Sequence, residues 1–95
     1  MNISVVGAGH VGLVTGACFA DLGHRGVVVD NDAKRIANLK RGVMPYYEPG
    51  LEELVARGVR EHRLSFTTSI REAVAKSTIL FIAVGTPQKA TGEAD

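Results

Sequence analysis

A glycine-rich hexapeptide, Gly7-Ala8-Gly9-His10-Val11-Gly12, leaves the apolar run Ile3-Ser4-Val5-Val6 and enters a helical pattern from Leu13 to Leu22. G-x-G-x-x-G alone is a common pattern. Here a strand pattern precedes it, a helix pattern follows it, and Asp30 closes the next apolar run 18 positions beyond Gly12. That context predicts a dinucleotide-binding turn, with a ligand-free strand-to-helix turn as the alternative. Gly7 permits the sharp exit from the strand, Gly9 lets a pyrophosphate approach the backbone, and Gly12 lets the helix pack close. The first-turn amides around His10, Val11 and Gly12, backed by the helix dipole, then form an anion cradle.

The rest of the chain fits a doubly wound α/β domain. Residues 2–6 read as a central strand, helix A runs from Val11 to Leu22 with Gly12, Gly16 and Ala20 as a small-residue ridge, and Gly23 stops it. Gly26 to Asp30 is the second strand. Asp32 caps a helix from Ala33 to Arg41 whose inward stripe is expected to be Ala33, Ile36, Ala37 and the Lys40 stem.

Residues 43–50 interrupt this rhythm as an insertion. Pro49 is expected in the first turn of a short helix with an apolar face of Leu51, Leu54 and Val55, ended by Gly58. Leu64 to Thr67 reads as an edge strand, Ser69 to Glu72 as a capping box opening a helix to Ala75, and Thr78 to Val84 as a strongly apolar strand beside the first. The predicted fold is a Rossmann-type parallel sheet of about four strands, order 3-2-1-4, with helices on both faces. Gly85-Thr86-Pro87 turns at a strand's carboxyl end, where such sheets place ligands.

Composition narrows the function classes. Eleven basic and ten acidic residues give a net charge of +1, so the sequence offers neither a nucleic-acid footprint nor a membrane-surface patch. No stretch reaches the roughly 18 apolar residues of a membrane span. With one cysteine, Cys18, no internal disulfide forms, and a reducing, cytoplasmic setting is expected. Cys18 itself reads as a buried structural thiol in mid-helix. His24 and His62 lack ligand partners at metal spacing and read as surface residues.

The segments MNISVVGAGHVGLVTGACFADLGH, VVVD, PYYEPGLEEL, RLSFTTSIREAV and FIAVGTP together resemble the amino-terminal part of the UDP-glucose 6-dehydrogenases, within the nucleotide-sugar dehydrogenases. The resemblance spans essentially all 95 residues, and the Glu48-Pro49-Gly50-Leu51 insertion and Val84-Gly85-Thr86-Pro87 turn are its most restrictive parts. It implies NAD as cofactor, held by Gly7, Gly9, His10, Val11, Gly12, Asp30, Arg35, Gly85 and Thr86, with Asp30 on the adenosine ribose. Arg35 stands where lysine is usual in the family, and His10 where many members have tyrosine.

The resemblance further implies oxidation of UDP-glucose to UDP-glucuronate with two NAD+. With strands five and six expected to be absent, the apolar strand 78–84 reads as an unprotected edge, so self-association into a homo-oligomer is expected. The nucleophile and the UDP-sugar site are expected outside residues 1–95. The chain is accordingly expected to be an incomplete amino-terminal NAD-binding domain, able to bind NAD but not to catalyse. Residue by residue, alternatives stay open. Asp30 also suits an Asx cap, Arg35 an exposed helix cation, and Thr86 a turn cap. Tyr46, Tyr47 and Glu48 either close over the site or pin the insertion to the domain. For the whole, a stand-alone NAD-sensing module, a non-binding remnant, or a dehydrogenase of another nucleotide sugar (UDP-N-acetylhexosamine or GDP-mannose) are the other readings.

Overall fold

The structure, a computed structural model, describes residues 1–83. Strands and helices follow as β1 (Asn2–Val6), α1 (His10–Asp21), β2 (Arg25–Val29), α2 (Ala33–Lys40), α3 (Leu51–Arg60), β3 (Leu64–Thr67), α4 (Ile70–Lys76) and β4 (Ile79–Ile82). The four strands are parallel and ordered β3-β2-β1-β4, as the sequence pattern predicts. Val6 pairs with Val29 on one side and Ile82 on the other, and Val29 pairs with Thr67, so the carboxyl ends form one row.

The β-branched run Val27-Val28-Val29 makes β2 the interior strand between β1 and β3, with Val28 and Val29 buried. On one face, Leu13, Ala17 and Ala20 of α1 join Ile36 and Leu39 of α2, Leu51 and Val55 of α3, and Val28, Leu64 and Phe66 of the sheet in one core. α4 backs the opposite face, where the buried Ser4 hydroxyl donates to the Ala73 carbonyl at 3.2 Å and also contacts the Ser77 hydroxyl. A polar residue in the middle of an otherwise apolar strand thus fixes α4 rather than leaving an unsatisfied group.

Close approach sets the position of α1. A Cβ on Gly16 would stand 2.6 Å from Val28 Cγ2, and one on Gly26 would stand 3.1 Å from the Gly16 carbonyl oxygen. Gly26, the second residue of β2 rather than its first, therefore accommodates the helix above it.

Several local expectations are corrected. The buried residues of α2 are Ile36 and Leu39, while Ala33, Ala37 and Lys40 are exposed. Gly58 does not end α3. It lies inside the helix, where an added Cβ would meet Leu64 Cβ at 2.9 Å and Ala20 Cβ at 3.4 Å, so it is a packing glycine between α3, α1 and β3. The helix stops two residues later, where His62 takes a left-handed conformation (φ 59°) and the His62 and Arg63 amides donate back to the Val59 and Gly58 carbonyls. That is the Schellman arrangement, with histidine where Gly23 and Gly42 stand after α1 and α2. Pro49 precedes the α3 N-cap, Gly50, rather than occupying the first turn. Cys18 is exposed on α1, not buried.

Candidate cofactor site

Register explains why the glycine turn and Asp30 meet. Because Val6 and Val29 are paired, the residues that follow each strand emerge side by side at the sheet's carboxyl edge. The chain leaves β1 through Gly7 (φ 113°), whose amide donates to the Val29 carbonyl at 2.6 Å, and turns at once into α1. Gly9 is the N-cap residue and supplies no side-chain cap, and the first turn of α1 holds no acidic side chain. Among the described residues no side-chain cap therefore competes for the amides that open α1.

Asp30 ties the turn to β2. Its Oδ2 accepts the Ala8 amide at 2.9 Å, its Oδ1 accepts the Asp32 amide at 2.9 Å, and Arg35 Nη1 lies 3.4 Å from Oδ2. The Asp30 side chain is 12% exposed and that of Arg35 40%. Burial raises the Asp30 pKa. The Ala8 and Asp32 amides and the Arg35 charge outweigh it, and the net shift is downward. The N-cap of α2 is Asp32, which accepts the Arg35 amide at 3.1 Å, while Asp30 makes an Asx-type contact with the Asp32 amide just before the helix.

The two outer glycines of the motif differ in kind. A Cβ on Gly12 would lie 1.7 Å from the Gly7 carbonyl oxygen, so Gly12 is required by the fold. Among the described residues a Cβ on Gly9 would meet nothing within 4 Å, and Gly9 is extended (φ −74°, ψ −168°), so neither the space they leave nor its backbone demands glycine there. Room before unclaimed helix-start amides suits a group that presses against the backbone from outside, as a pyrophosphate does. A carboxylate has about four lone-pair positions. Three are used at Asp30, and the longest contact, to Arg35, is the easiest to yield, which leaves acceptor capacity for ribose hydroxyls.

The insertion also reaches this edge. Tyr46 donates its hydroxyl hydrogen to the His10 carbonyl at 3.0 Å, and the His10 and Tyr46 ring centroids are 4.7 Å apart. Glu48 Oε2 is 3.8 Å from His10 Nε2. Met44 and Pro45 line, with Asp32, Arg35 and Asn38, a cleft of about 190 Å3 beside Asp30. A larger cavity, about 370 Å3, lies under α4 and opens mainly among Asn2, Arg25 and Arg63 at the amino ends of the strands, with Thr67 of β3 also lining it. Open α/β sheets bind ligands at the other end, and among the described residues no buried side-chain polar atom lacks a partner.

Of the residues singled out in the sequence, Gly7, Gly9, His10, Val11, Gly12, Asp30 and Arg35 converge on this one edge. Gly85 and Thr86 lie outside the described residues. Tyr46 was an open alternative in the sequence. Its contact spans 36 positions, and no local pattern encodes it. Among the described residues no group of three metal-ligating side chains forms, and no helix is long and apolar enough to cross a membrane.

A four-stranded parallel sheet, a glycine turn opening a helix at the carboxyl edge, and an acidic residue anchored beside it define a Rossmann-type dinucleotide-binding domain. Residues 1–95 match the profile of the UDP-glucose/GDP-mannose dehydrogenase family, NAD binding domain, and the chain belongs to that family. Its cofactor is NAD. The chain is 53% identical to UDP-glucose 6-dehydrogenase TuaD of Bacillus subtilis (strain 168) over 99% of its own length. It superposes on GDP-mannose dehydrogenase from Pseudomonas aeruginosa with a TM-score of 0.93 (42% identity, the whole chain covered). Against a UDP-glucose dehydrogenase from Pyrobaculum islandicum the TM-score is 0.89 (47% identity, 98% of the chain covered). The chain spans only about a fifth of the length of these relatives, 20% and 22% and 22% respectively.

Proposed function

We propose that this chain is the cofactor-binding part of an NAD-dependent UDP-glucose 6-dehydrogenase, which as a whole converts UDP-glucose to UDP-glucuronate with two NAD+. The observation that carries the site assignment is the Asp30 carboxylate, anchored on the Ala8 amide of the glycine turn with acceptor capacity to spare. In this reading the amides of His10, Val11 and Gly12 hold the pyrophosphate, and Gly9 gives it room. Asp30 takes the ribose hydroxyls, Arg35 steadies Asp30, and Gly85 and Thr86 contribute further cofactor contacts. NAD+, when bound, supplies the hydride acceptor. What this chain's own residues do is bind and orient it.

UDP-glucose is favoured over GDP-mannose as the whole protein's substrate because relatives named UDP-glucose 6-dehydrogenase reach 53% identity, against 42% for the GDP-mannose enzyme. The proposal extends to a cytoplasmic setting and to self-association, for which the support is β4: among the described residues it is an outer strand with β1 as its sole neighbour, and all four of its residues are exposed.

Calorimetric titration with NAD+ and NADP+ tests the site. Asp30 accepts a charge-assisted hydrogen bond from a ribose hydroxyl but opposes a 2′-phosphate, so NAD+ is expected to bind tighter. Asp30→Ala is expected to weaken NAD+ about ten- to a hundredfold and to narrow the gap to NADP+. Equal or tighter binding of NADP+ by the unmutated chain would instead make Arg35 the residue that governs the ribose. For the substrate, a panel of UDP- and GDP-sugars on the full-length enzyme decides, and turnover of a sugar other than UDP-glucose as the best substrate overturns the choice.

A further inference from the structure

The segment 43–50 joins α2 to α3 and takes no part in the sheet, yet it returns to the glycine turn. Its alternate residues hold a single residue, His10, the first of α1. Tyr46 donates to the His10 carbonyl at 3.0 Å and sets its ring 4.7 Å from the imidazole, tilted by 32°. Glu48 places Oε2 3.8 Å from His10 Nε2. Tyr47, between them, points away and is 89% exposed. Resting on the NAD reading above, we infer that Tyr46 is a positioning residue for the phosphate turn and that His10 and Glu48 form a proton-linked latch, in which a protonated His10 paired with Glu48 tightens dinucleotide binding.

The helix start is otherwise weakly held. Gly9 provides no side-chain cap and the first turn no acidic group, so the amides that meet a phosphate are not fixed by local capping. The Tyr46 hydroxyl uses the second lone pair of the His10 carbonyl and clamps that turn from outside. Burial, then the Glu48 charge, raises the Tyr46 pKa, so the hydroxyl remains a donor throughout the neutral range.

Charge supplies the pH dependence. With His10 neutral, the Glu48 carboxylate stands unbalanced beside a turn that receives two phosphate charges. With His10 protonated, the imidazolium neutralises Glu48 and adds a positive charge to the cradle, so anion binding and protonation favour each other. Among the described residues Glu48 and Tyr46 contact His10, and Glu52 and Glu53 at the start of α3 share a cleft with them. Asp30 meets the turn at the Ala8 amide instead and is paired with Arg35, while Ala83, just past β4, brings no charge.

The test is calorimetry of NAD+ on the chain at about pH 6 and about pH 8. Unmutated protein is expected to bind about threefold tighter at the lower pH, a modest effect because the pair is half-exposed and screened. His10→Tyr keeps an aromatic ring against Tyr46 and abolishes the difference. Glu48→Gln removes the unbalanced charge, raising affinity at the higher pH and narrowing the difference. Tyr46→Phe keeps the ring and loses the hydrogen bond, weakening NAD+ about five- to tenfold at both pH values. A Tyr46 that only packs the insertion would lower the melting temperature in Tyr46→Phe and leave affinity alone, which overturns the positioning role. A pH difference that survives in His10→Tyr, or a flat profile in the unmutated chain, overturns the latch. Failure to bind NAD+ at either pH overturns the cofactor reading itself, a different outcome from binding with a flat profile.

Discussion

Two alanine substitutions three residues apart should separate what the fold needs from what the ligand needs. At Gly12 the added Cβ would lie 1.7 Å from the Gly7 carbonyl oxygen and 2.9 Å from its carbon. Both are backbone atoms, so no rotamer change relieves the overlap, and α1 must retreat by well over an ångström. Retreat loosens Leu13 and Ala17, both fully buried. Overpacking costs about 1–3 kcal/mol and backbone clashes sit at or above the top of that range, so about 3 kcal/mol or more is expected. For a domain of this size that is a fall of roughly 12–24 °C in melting temperature. At Gly9 the methyl enters open space on an extended backbone. Alanine is a poorer N-cap than glycine by about 1 kcal/mol and the stiffer unfolded chain returns about 0.4–1 kcal/mol, so stability should stay within about 0.5 kcal/mol. NAD+ affinity should nevertheless fall about ten- to a hundredfold, because the methyl stands between the pyrophosphate and the amides. Thermal melts by circular dichroism and NAD+ calorimetry on both variants check this. A Gly12→Ala protein that melts within a few degrees of the original, or a Gly9→Ala protein with unchanged affinity, refutes the assignment of roles.

Asp30 has a lowered folded-state pKa, so it contributes stability above the ordinary aspartate range and loses it as pH falls through the lowered value. The melting-temperature gap between the original chain and Asp30→Asn should therefore be widest at neutral pH and close below about pH 4, as followed by melts across an acid series. His62 sits in a left-handed conformation at the end of α3, which costs a non-glycine residue about 1 kcal/mol. His62→Gly is expected to raise the melting temperature by a few degrees in calorimetric scans, and a fall would mean that the His62 side chain makes a compensating interaction. The β4 residues Ile79, Leu80, Phe81 and Ile82 are 38%, 40%, 40% and 65% exposed. Sedimentation velocity should show concentration-dependent association that Leu80→Lys abolishes, and a monomer at all concentrations removes the case for edge pairing.

The elements were legible where a local pattern fixes both type and phase. β2 follows from three consecutive valines, and the ends of α1 from the glycine turn and Gly23, because each signal acts within a turn or two of itself. Apart from the one-residue offset at Pro49, the errors have a common cause, since each depends on packing that local sequence does not encode. α1 is apolar on most sides, so its pattern carries no phase and could not tell that Cys18 faces out. In α2, helical spacing allowed either the Ala33–Ala37 side or the Leu39 side to be buried, and the common core with α3 and β3 selects Leu39. Gly58 reads as a stop by composition and serves as a contact with Leu64 and Ala20. At the site, G-x-G-x-x-G and Asp30 could be found by spacing, whereas the Ala8 to Asp30 hydrogen bond and the Tyr46 clamp arise only when the register of β1 and β2 and the return of the insertion are known.

The Asp30 contacts bear on how much binding costs. A carboxylate free in solvent would have to be ordered and partly desolvated by an arriving ribose. Here both oxygens are already fixed by backbone amides on two different connections, the β1–α1 turn and the β2–α2 turn. The same two bonds that lower its pKa hold its remaining lone pairs in one direction, so the ligand meets an acceptor whose entropy was lost on folding. The cost is transferred to the protein: the Ala8 amide, an obvious donor for a phosphate, is spent on Asp30, and phosphate binding shifts to the amides from His10 onward. Asp30→Ala then frees Ala8 while deleting the ribose acceptor, so the turn should loosen as well as lose a contact. Amide hydrogen exchange at Ala8 is the direct readout. Protection of that amide in the unliganded chain, lost in Asp30→Ala, is expected, and an Ala8 amide that exchanges freely in the unmutated chain would mean that the site is organised by its ligand instead.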